Sequence, residues 1–593
     1  MNTLHILTQE QVIAYFSMEI ALFEDIPTYS GGLGVLAGDT VRSAADLSIP
    51  FVAVTLLSRK GYFRQEFSPS GEQVEKNAAW EVEKFLKPLS PRISVYISGK
   101  KVLVRSWYYL WKSITGGVVP IVFLDTDIPE NDPEERSITD YLYGGDREYR
   151  LKQEIVLGIG GARMLEVLGL RVRKYHINEG HAAFLTLELL RKFKRPLEEV
   201  WDEKKMWDTQ AVKNLCVFTT HTPVEAGHDK FSHDLVKRIL KEFVPFSLLQ
   251  ELGGNEYLNM TRLALNLSGY VNGVAKRHSE VSRTMFPGYA IQAVTNGVHS
   301  FTWTSQSFRN LYDRHIPGWA HETELLTRVN AIPDEALWEA HQREKRSLFA
   351  MVFEKTGVEM SEDVLTIGFA RRMTAYKRPH LLLTDIERLQ KVTRKGSLQI
   401  LYGGKAHPQD QEGKRLIQEI QNHAQALRGE IRIAYIPDYS FNIAHQLVAG
   451  VDVWLNTPQI PMEASGTSGM KAAHNGVLNF SVLDGWWLEG CMEGFTGWSI
   501  GPSPLKEDRQ PDERFREEID DLYNKLEYII IPTYYEQIDL WIKLMKNSIG
   551  SVASYFNSHR MMKRYITDAY FHQNLTSHPG GNHSSVHVPH NHQ

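Results

Sequence analysis

Cysteine is nearly missing from this chain: Cys216 and Cys491 are the only two, and Cys216 lies in the apolar run 215–218. A disulfide framework is excluded and a reducing compartment is expected. Long apolar runs are missing as well. No stretch approaches the ~18 residues of a membrane span, and the N-terminus lacks the charged-then-apolar order of a secretory signal, so the expected location is the cytoplasm. Charge of one sign is not in excess either, since 66 Lys and Arg stand against 71 Asp and Glu. Neither a nucleic acid nor an anionic membrane finds a basic face to bind. What is present is an ordinary globular composition, 42% hydrophobic and 23% charged over 593 residues. That length suits roughly four average domains, or fewer and larger α/β units.

The chain alternates between two periodicities. Strand-like runs occur at 13–17, 51–57, 92–97, 101–109, 118–124, 174–178 and 215–220, with helical spacing at 149–168, from His181 onward, and around 187–205. Between about 301 and 362 the strand pattern lapses, and a helix is expected over 333–353, ending before Thr356-Gly357. A second series then follows with short connections: strands at 364–370, 398–402, 431–436 and 451–455, helices at 379–391, 409–426 and 441–450. This is the pattern of parallel sheets covered by helices, the α/β class, and in such doubly wound units ligands bind beyond the carboxyl ends of the strands. Expected divisions are 1–330, a helical linker at 331–362, 363–510, and helices over 511–572. Residues 573–593 carry His578, His583, His587, His590 and His592 among Asn, Ser, Pro and Gly, and are expected to be disordered. No metal site is expected.

Polar residues collect at those strand ends. The segment Met462-Glu-Ala-Ser-Gly-Thr-Ser-Gly-Met-Lys471 puts a lysine beyond a turn of small residues, at the start of a helix expected near Gly469. Backbone N–H groups, a helix end and an amine suit a phosphate, although a solvated loop and lysine would have the same composition. Arg371, Arg372, Lys377 and Arg378 cluster after the strand at 364–370, and Gly403-Gly404-Lys405 follows the next one. Asp438 and Tyr439 come after the strand at 431–436. In the first half the matching ends carry Asn178-Glu179-Gly180-His181 and Thr219-Thr220-His221-Thr222-Pro223, donors and acceptors of the kind that read sugar hydroxyls. The turn Gly31-Gly-Leu-Gly34 misses the dinucleotide fingerprint by one residue and is not read as a nicotinamide site.

Taken together these motifs resemble the α-glucan (glycogen, starch and maltodextrin) phosphorylases, of the short bacterial type. The match rests on Glu463 through Lys471, Arg372 through Arg378, Gly403-Gly404-Lys405-Ala406, Val271-Asn-Gly-Val-Ala275 with His278-Ser279, Asn296-Gly297, Leu151-Lys-Gln-Glu154 and Gly31 through Gly34, spanning nearly all of residues 15–490. The resemblance implies two Rossmann-like doubly wound domains of the GT-B glycosyltransferase architecture, with the active site in the cleft between a glucan-binding half and a cofactor and phosphate half. It implies pyridoxal 5′-phosphate on Lys471, and places Gly32, Gly34, Tyr439 and Thr467 about the cofactor. Arg372 and Lys377 would hold the substrate phosphate, and His221 would contact the sugar beside the scissile bond. Glu463, Ser465 and Gly466 would face glucose hydroxyls, with Leu33, Asn296 and His181 also on the sugar. The implied reaction is reversible phosphorolysis of an α-1,4-glucan by inorganic phosphate to α-glucose 1-phosphate with retention. In it the cofactor's own phosphate, with a second pKa near 6, serves as proton donor and acceptor.

Some positions depart from the larger family members. Ser468-Gly469 stands where glycine-asparagine is usual, Thr374 and Ala375 replace bulkier or charged residues, and Asp484-Gly-Trp-Trp-Leu-Glu489 matches only at its ends. Allosteric control by phosphorylation or nucleotides is expected to be absent, and a homo-oligomer is an open expectation. Two rivals share the architecture: a nucleotide-sugar-dependent glucan synthase and a non-catalytic glucan-binding protein. The synthase typically needs a second carboxylate eight positions after the first, for the nucleotide ribose. Here Glu463 is followed eight later by Lys471.

Overall fold

The computed structural model describes residues 10–200, 203–504 and 510–571. Among these, two large sheets organise the chain. The first has nine strands, in sheet order Gln292–Ala293, Tyr270–Gly273, Cys216–Thr219, Arg171–Asn178, Gln11–Phe16, Phe51–Leu56, Val118–Asp125, Lys100–Lys112 and Lys87–Ile97. The last two form an antiparallel hairpin on the edge, Lys100–Lys112 also runs antiparallel to Val118–Asp125, and the remaining neighbouring pairs are parallel. The second sheet has six parallel strands, in the order Arg432–Ile436, Leu398–Gly403, Leu365–Ala370, Val453–Asn456, Leu478–Val482 and Gly497–Ile500. Counted along the chain, the parallel strands of each sheet run 3-2-1-4-5-6, with a seventh ending the first sheet. That is the doubly wound order.

The strands are buried on both faces, which explains their near-continuous apolar runs: Phe51–Leu56 and Leu365–Ala370 have no exposed position. Helices over 511–548 join the core of the second sheet through Leu522, Tyr523, Ile530 and Trp541. Residues 558–570 cross back instead and pack Met561, Met562, Tyr565 and Tyr570 into the core of the first sheet. A hairpin, Arg64–Phe67 with Gln73–Lys76, also joins the two halves. Gln65 Nε2 donates to Gly404 O and Gln73 Nε2 to Ala406 O, both at 2.9 Å, and the amide of Ala406 donates to Gln73 Oε1 at 2.9 Å. Both glutamine side chains are buried, so each amide must find partners, and it finds them across the cleft.

Two helical expectations are revised. The helix expected over 187–205 ends at Lys192, because Pro196 cannot continue it, and 3-10 turns follow at Leu197–Glu199 and Glu203–Met206. The helix expected over 379–391 is split into a 3-10 turn at Leu381–Leu383 and an α-helix at Ile386–Val392, because Asp385 caps a new start by accepting the Arg388 amide at 2.9 Å. The helix expected over 333–353 runs from Asp334 to Thr356 and stops at Gly357, which adopts φ 69°. The His-rich residues 573–593 lie outside the described residues.

The helix Gly32–Asp46 needs its glycines for close approach. A Cβ on Gly38 would stand 2.0 Å from Ala21 O, a backbone atom that has no rotamer to escape into. Gly38→Ala is expected to lower unfolding stability by about 1–3 kcal/mol, checked by denaturant midpoint. Gly116→Ala, where nothing lies within 4 Å but φ is +93°, serves as a purely conformational control.

Candidate active site

In each doubly wound sheet the strand order reverses between the first and fourth parallel strands. Those reversal points lie beyond Phe16 and Asn178 in one sheet and beyond Ala370 and Asn456 in the other. A cavity of about 360 Å³ sits between them, lined from both halves. Five of its lining side chains are cationic, Arg371, Arg372, Lys377, Lys405 and Lys471, and one, Glu463, is a carboxylate. Such a wall selects anions.

The glycine turn forms one side. Glu19 is buried, and its Oε2 accepts from the amides of Ser30 at 2.5 Å and Gly31 at 3.2 Å, while Tyr143 donates its hydroxyl to Oε1 at 3.0 Å. The turn is therefore held from behind, and Gly32 and Leu33 face the cavity. Gly34 does not. A Cβ there would meet Glu19 Oε2 at 2.7 Å and Tyr29 Cβ at 2.8 Å, so this glycine serves packing of the turn.

The opposite side comes from the basic turn after Leu365–Ala370. Glu463 Oε2 accepts from Arg371 Nη2 at 2.7 Å and Lys377 Nζ at 2.5 Å. Burial would raise this carboxyl, but the two cations outweigh it and bring it down to about 2. The Nε and Nη1 atoms of Arg371 are buried without a hydrogen-bond partner. Arg372 opens into the cavity and no hydrogen bond or ion pair ties it to another described residue. These are donors waiting for an anion. Arg378 differs from the sequence expectation: it turns away, donating to Glu518 at 2.5 Å and to the carbonyls of Thr457 and Pro458, and braces the loop from below.

Linkage fixes the sign of one pH effect. Because the folded-state pKa of Glu463 is depressed from 4.5 to about 2, the stability it contributes is present above pH ~4.5 and lost as pH falls toward 2. The displacement corresponds to about 3 kcal/mol. Glu463→Gln should therefore be markedly less stable than wild type at pH 7, with the gap closing between pH 4.5 and 2. Chemical denaturation across that range measures it, and a constant gap would contradict the assignment.

The loop that carries Glu463 is fixed by its neighbour in the sheet. Asp484 Oδ2 accepts the Glu463 amide at 2.8 Å, and the Trp486 amide donates to Ser465 O at 2.9 Å. Burial, with the charge of Glu463 adding to it, pushes the Asp484 carboxyl up to about 7. Ser465, Gly466 and Thr467 line the cavity, and Gly466 takes φ +72°, the left-handed turn that leads into the helix Ser468–Ala473.

Lys471 lies in that helix, 7% exposed, with its amine on the cavity wall. Nζ stands 3.9 Å over the Trp303 ring, and Trp303 Nε1 donates to Asp39 Oδ2 at 2.8 Å. No hydrogen bond or ion pair engages the amine among the described residues. Burial lowers its pKa to about 8, with Asp39 opposing, so a free amine is within reach near neutral pH.

Neutral polar groups face this charged wall from the first sheet. His221 Nε2 lies 2.6 Å from Asn178 Oδ1, and the Asn178 amide donates to Ser17 Oγ at 3.1 Å, which puts the imidazole proton on Nε2 and leaves Nδ1 as an acceptor. Burial holds this ring down at about 4, uncharged at pH 7. Asn296 lines the cavity with a buried, unpartnered Oδ1, a ready acceptor for a hydroxyl. Tyr439 completes the rim. His181 stands elsewhere, half-buried 3.5 Å from Asp229 and edge-on to Tyr143, outside the cavity lining.

Thus Lys471, Arg372, Lys377, His221, Glu463, Gly32, Tyr439, Thr467, Leu33, Asn296, Ser465 and Gly466 are brought together, and Gly34 and His181 are not. Arg371, Trp303, Asp484 and Glu19 have roles in the geometry that sequence reasoning did not assign. Arg371 carried a signal, its place in the basic turn. Glu19 and Trp303 carried none, since their partners are distant in sequence.

A family model described as carbohydrate phosphorylase matches residues 241–491. The chain is 40% identical to the maltodextrin phosphorylase of Thermococcus litoralis across 95% of this chain and 70% of that protein. To the glycogen phosphorylase of Aquifex aeolicus it is 37% identical across 95% and 86%. An uncharacterised protein of Methanocaldococcus jannaschii matches at 31% across 94% and 99%. The same chain places two doubly wound sheets around a cation-lined cavity and aligns over nearly its whole length with these enzymes, and it belongs to the α-glucan (carbohydrate) phosphorylase family.

Proposed function

We propose that the protein is an α-1,4-glucan phosphorylase, transferring the terminal glucosyl unit of a glucan to inorganic phosphate and releasing α-glucose 1-phosphate with retention. The observation that carries this is the composition of the cavity wall, five cations and one carboxylate facing neutral hydroxyl-reading groups. A nucleotide-sugar synthase would want a carboxylate where Lys471 stands.

The residues present fit pyridoxal 5′-phosphate. Lys471 offers an unpaired amine with a lowered pKa at the cavity floor, and the glycine turn and the loop 465–467 leave backbone close to it. When bound, the cofactor supplies a phosphate monoester that can take up and release a proton near neutral pH. Arg372, with the unpartnered edge of Arg371, holds the substrate phosphate. A substrate phosphate beside the cofactor's would be repelled by it, so these cations would set how closely the two anions can meet. Lys377 and Arg371 are already shared with Glu463, which keeps that carboxylate ionised and able to accept from glucose hydroxyls. His221 Nδ1 and Asn296 Oδ1 accept from the sugar on the other side. The sugar is thereby oriented with its anomeric carbon toward the phosphate as positive charge develops on it.

Gly34 and His181 act one layer behind, in packing the turn and in the Asp229 cluster. We place the reaction in the cytoplasm, where the two unpaired cysteines suit a reducing environment. No helix of the described residues is long and apolar enough to cross a membrane. Supplying maltodextrin and inorganic phosphate should yield α-glucose 1-phosphate, with the anomer read by proton NMR. Release of free glucose, or of the β-anomer, would contradict the proposal.

A further inference from the structure

We propose that Asp46, His299 and His559 form a structural site for a divalent transition metal of the zinc class, at the far end of the helix that starts in the glycine turn. Asp46 closes the helix Gly32–Asp46, and its side chain is 3% exposed. Its Oδ2 lies 2.7 Å from His299 Nε2 and 2.8 Å from His559 Nε2. The three ligating atoms all fall within 4.8 Å of one another. Separations of 253 and 513 positions from Asp46 hid this cluster from any spacing rule.

A buried histidine ordinarily needs one acceptor. Here two imidazole edges converge on a single carboxylate oxygen. Asp39 and Asp46 are both buried on one helix, and the guanidinium between them, Arg42, is committed to Asp39 at 3.2 Å and to the carbonyls of Ala21 and Leu22. No lysine or arginine pairs with Asp46 among the described residues. A buried carboxylate that has no lysine or arginine beside it is costly, and a divalent ion would neutralise it while engaging both imidazoles. Outer groups serve two of the three ligands: His299 Nδ1 accepts the Thr302 amide at 3.3 Å and lies 2.7 Å from Thr302 Oγ1, to which it would donate once Nε2 binds the ion, and Ser113 Oγ donates to Asp46 Oδ1 at 2.5 Å, while His559 Nδ1 is buried without a partner. The turn 113–115, which covers the carboxylate, is at the surface.

Two nitrogens and one oxygen suit zinc better than calcium or magnesium. Around tetrahedral zinc with bonds of about 2.0–2.1 Å the ligand atoms stand about 3.3 Å apart, so loading opens each imidazole–carboxylate gap by about half an ångström. The ion would tie helix Ser558–Tyr565 to helix Gly32–Asp46, where Ser43 and Ser558 already meet at 2.5 Å. Its role is to hold the returning C-terminal segment, and it takes no part in the transfer chemistry.

The test uses the full chain, stripped with chelator and titrated with Co²⁺ and then Zn²⁺. One equivalent of Co²⁺ should give the absorption bands of a four-coordinate ion, be displaced by Zn²⁺, and raise the thermal midpoint. Asp46→Asn and His559→Gln should each weaken Co²⁺ binding by about 100-fold or more, while circular dichroism reports that both variants fold. Absence of a stoichiometric ion in wild type would overturn the proposal. So would binding that persists unchanged in both variants, which would assign the metal to the histidines of residues 573–593.

Discussion

Replacing Lys471 by alanine is expected to abolish both the pyridoxal absorbance of the purified protein and its phosphorolysis, the latter by at least about 10³-fold. The amine has no acceptor among the described residues: Arg371 and Lys377 share Glu463, Lys405 meets Asp438, Arg372 is a guanidinium open to the cavity, and Lys471 lies against an aromatic face. A cation there only for its charge would be replaceable by another. Lys471→Arg separates the two accounts, because a guanidinium keeps the charge over Trp303 yet has no amine to condense. It should be as inactive and as colourless as Lys471→Ala, with thermal stability near wild type. Substantial activity in the arginine variant would reduce Lys471 to an electrostatic role.

Arg372→Ala is expected to lower kcat/KM for phosphate by about 10²–10³-fold, with little change in stability. No hydrogen bond or ion pair to a described residue is lost with the guanidinium, and the buried Glu19, whose carboxyl burial raises and this charge helps to hold down, keeps the Ser30 and Gly31 amides and the Tyr143 hydroxyl as donors. Arg372→Lys should recover only part of the loss, since an ammonium restores charge without a planar pair of donors. Steady-state kinetics with phosphate as the varied substrate, beside a denaturation curve for each variant, checks both halves. A variant that unfolds more easily but turns over normally would assign Arg372 to the fold.

Much of this was legible in sequence because it depends on local order. In the second doubly wound unit four of the six strands and the helix Phe441–Gly450 are read, because short connections keep each strand, turn and helix contiguous, while Leu478–Val482 and Gly497–Ile500 are not. The cavity wall is legible for the same reason: Arg372, Glu463 and Lys471 each follow a parallel strand. What the sequence hides is set by distant partners. Glu19 matters through Ser30, Gly31 and Tyr143, Trp303 through Asp39 and Lys471, and Asp484 through the backbone of Glu463. Arg378 looks like a member of the basic cluster until Glu518, 140 positions on, turns it away. Helix ends fail where a proline or a new cap intervenes, as at Pro196 and Asp385.

The account as a whole rests on one amine, that of Lys471, carrying the cofactor within reach of Arg372. The most direct measurement is mass spectrometry of the peptide that contains residue 471, after borohydride treatment of the purified protein and proteolysis. The account predicts a phosphopyridoxyl group fixed on Lys471 and on no other lysine. An unmodified Lys471 in a preparation that still forms glucose 1-phosphate from maltodextrin and phosphate would contradict it.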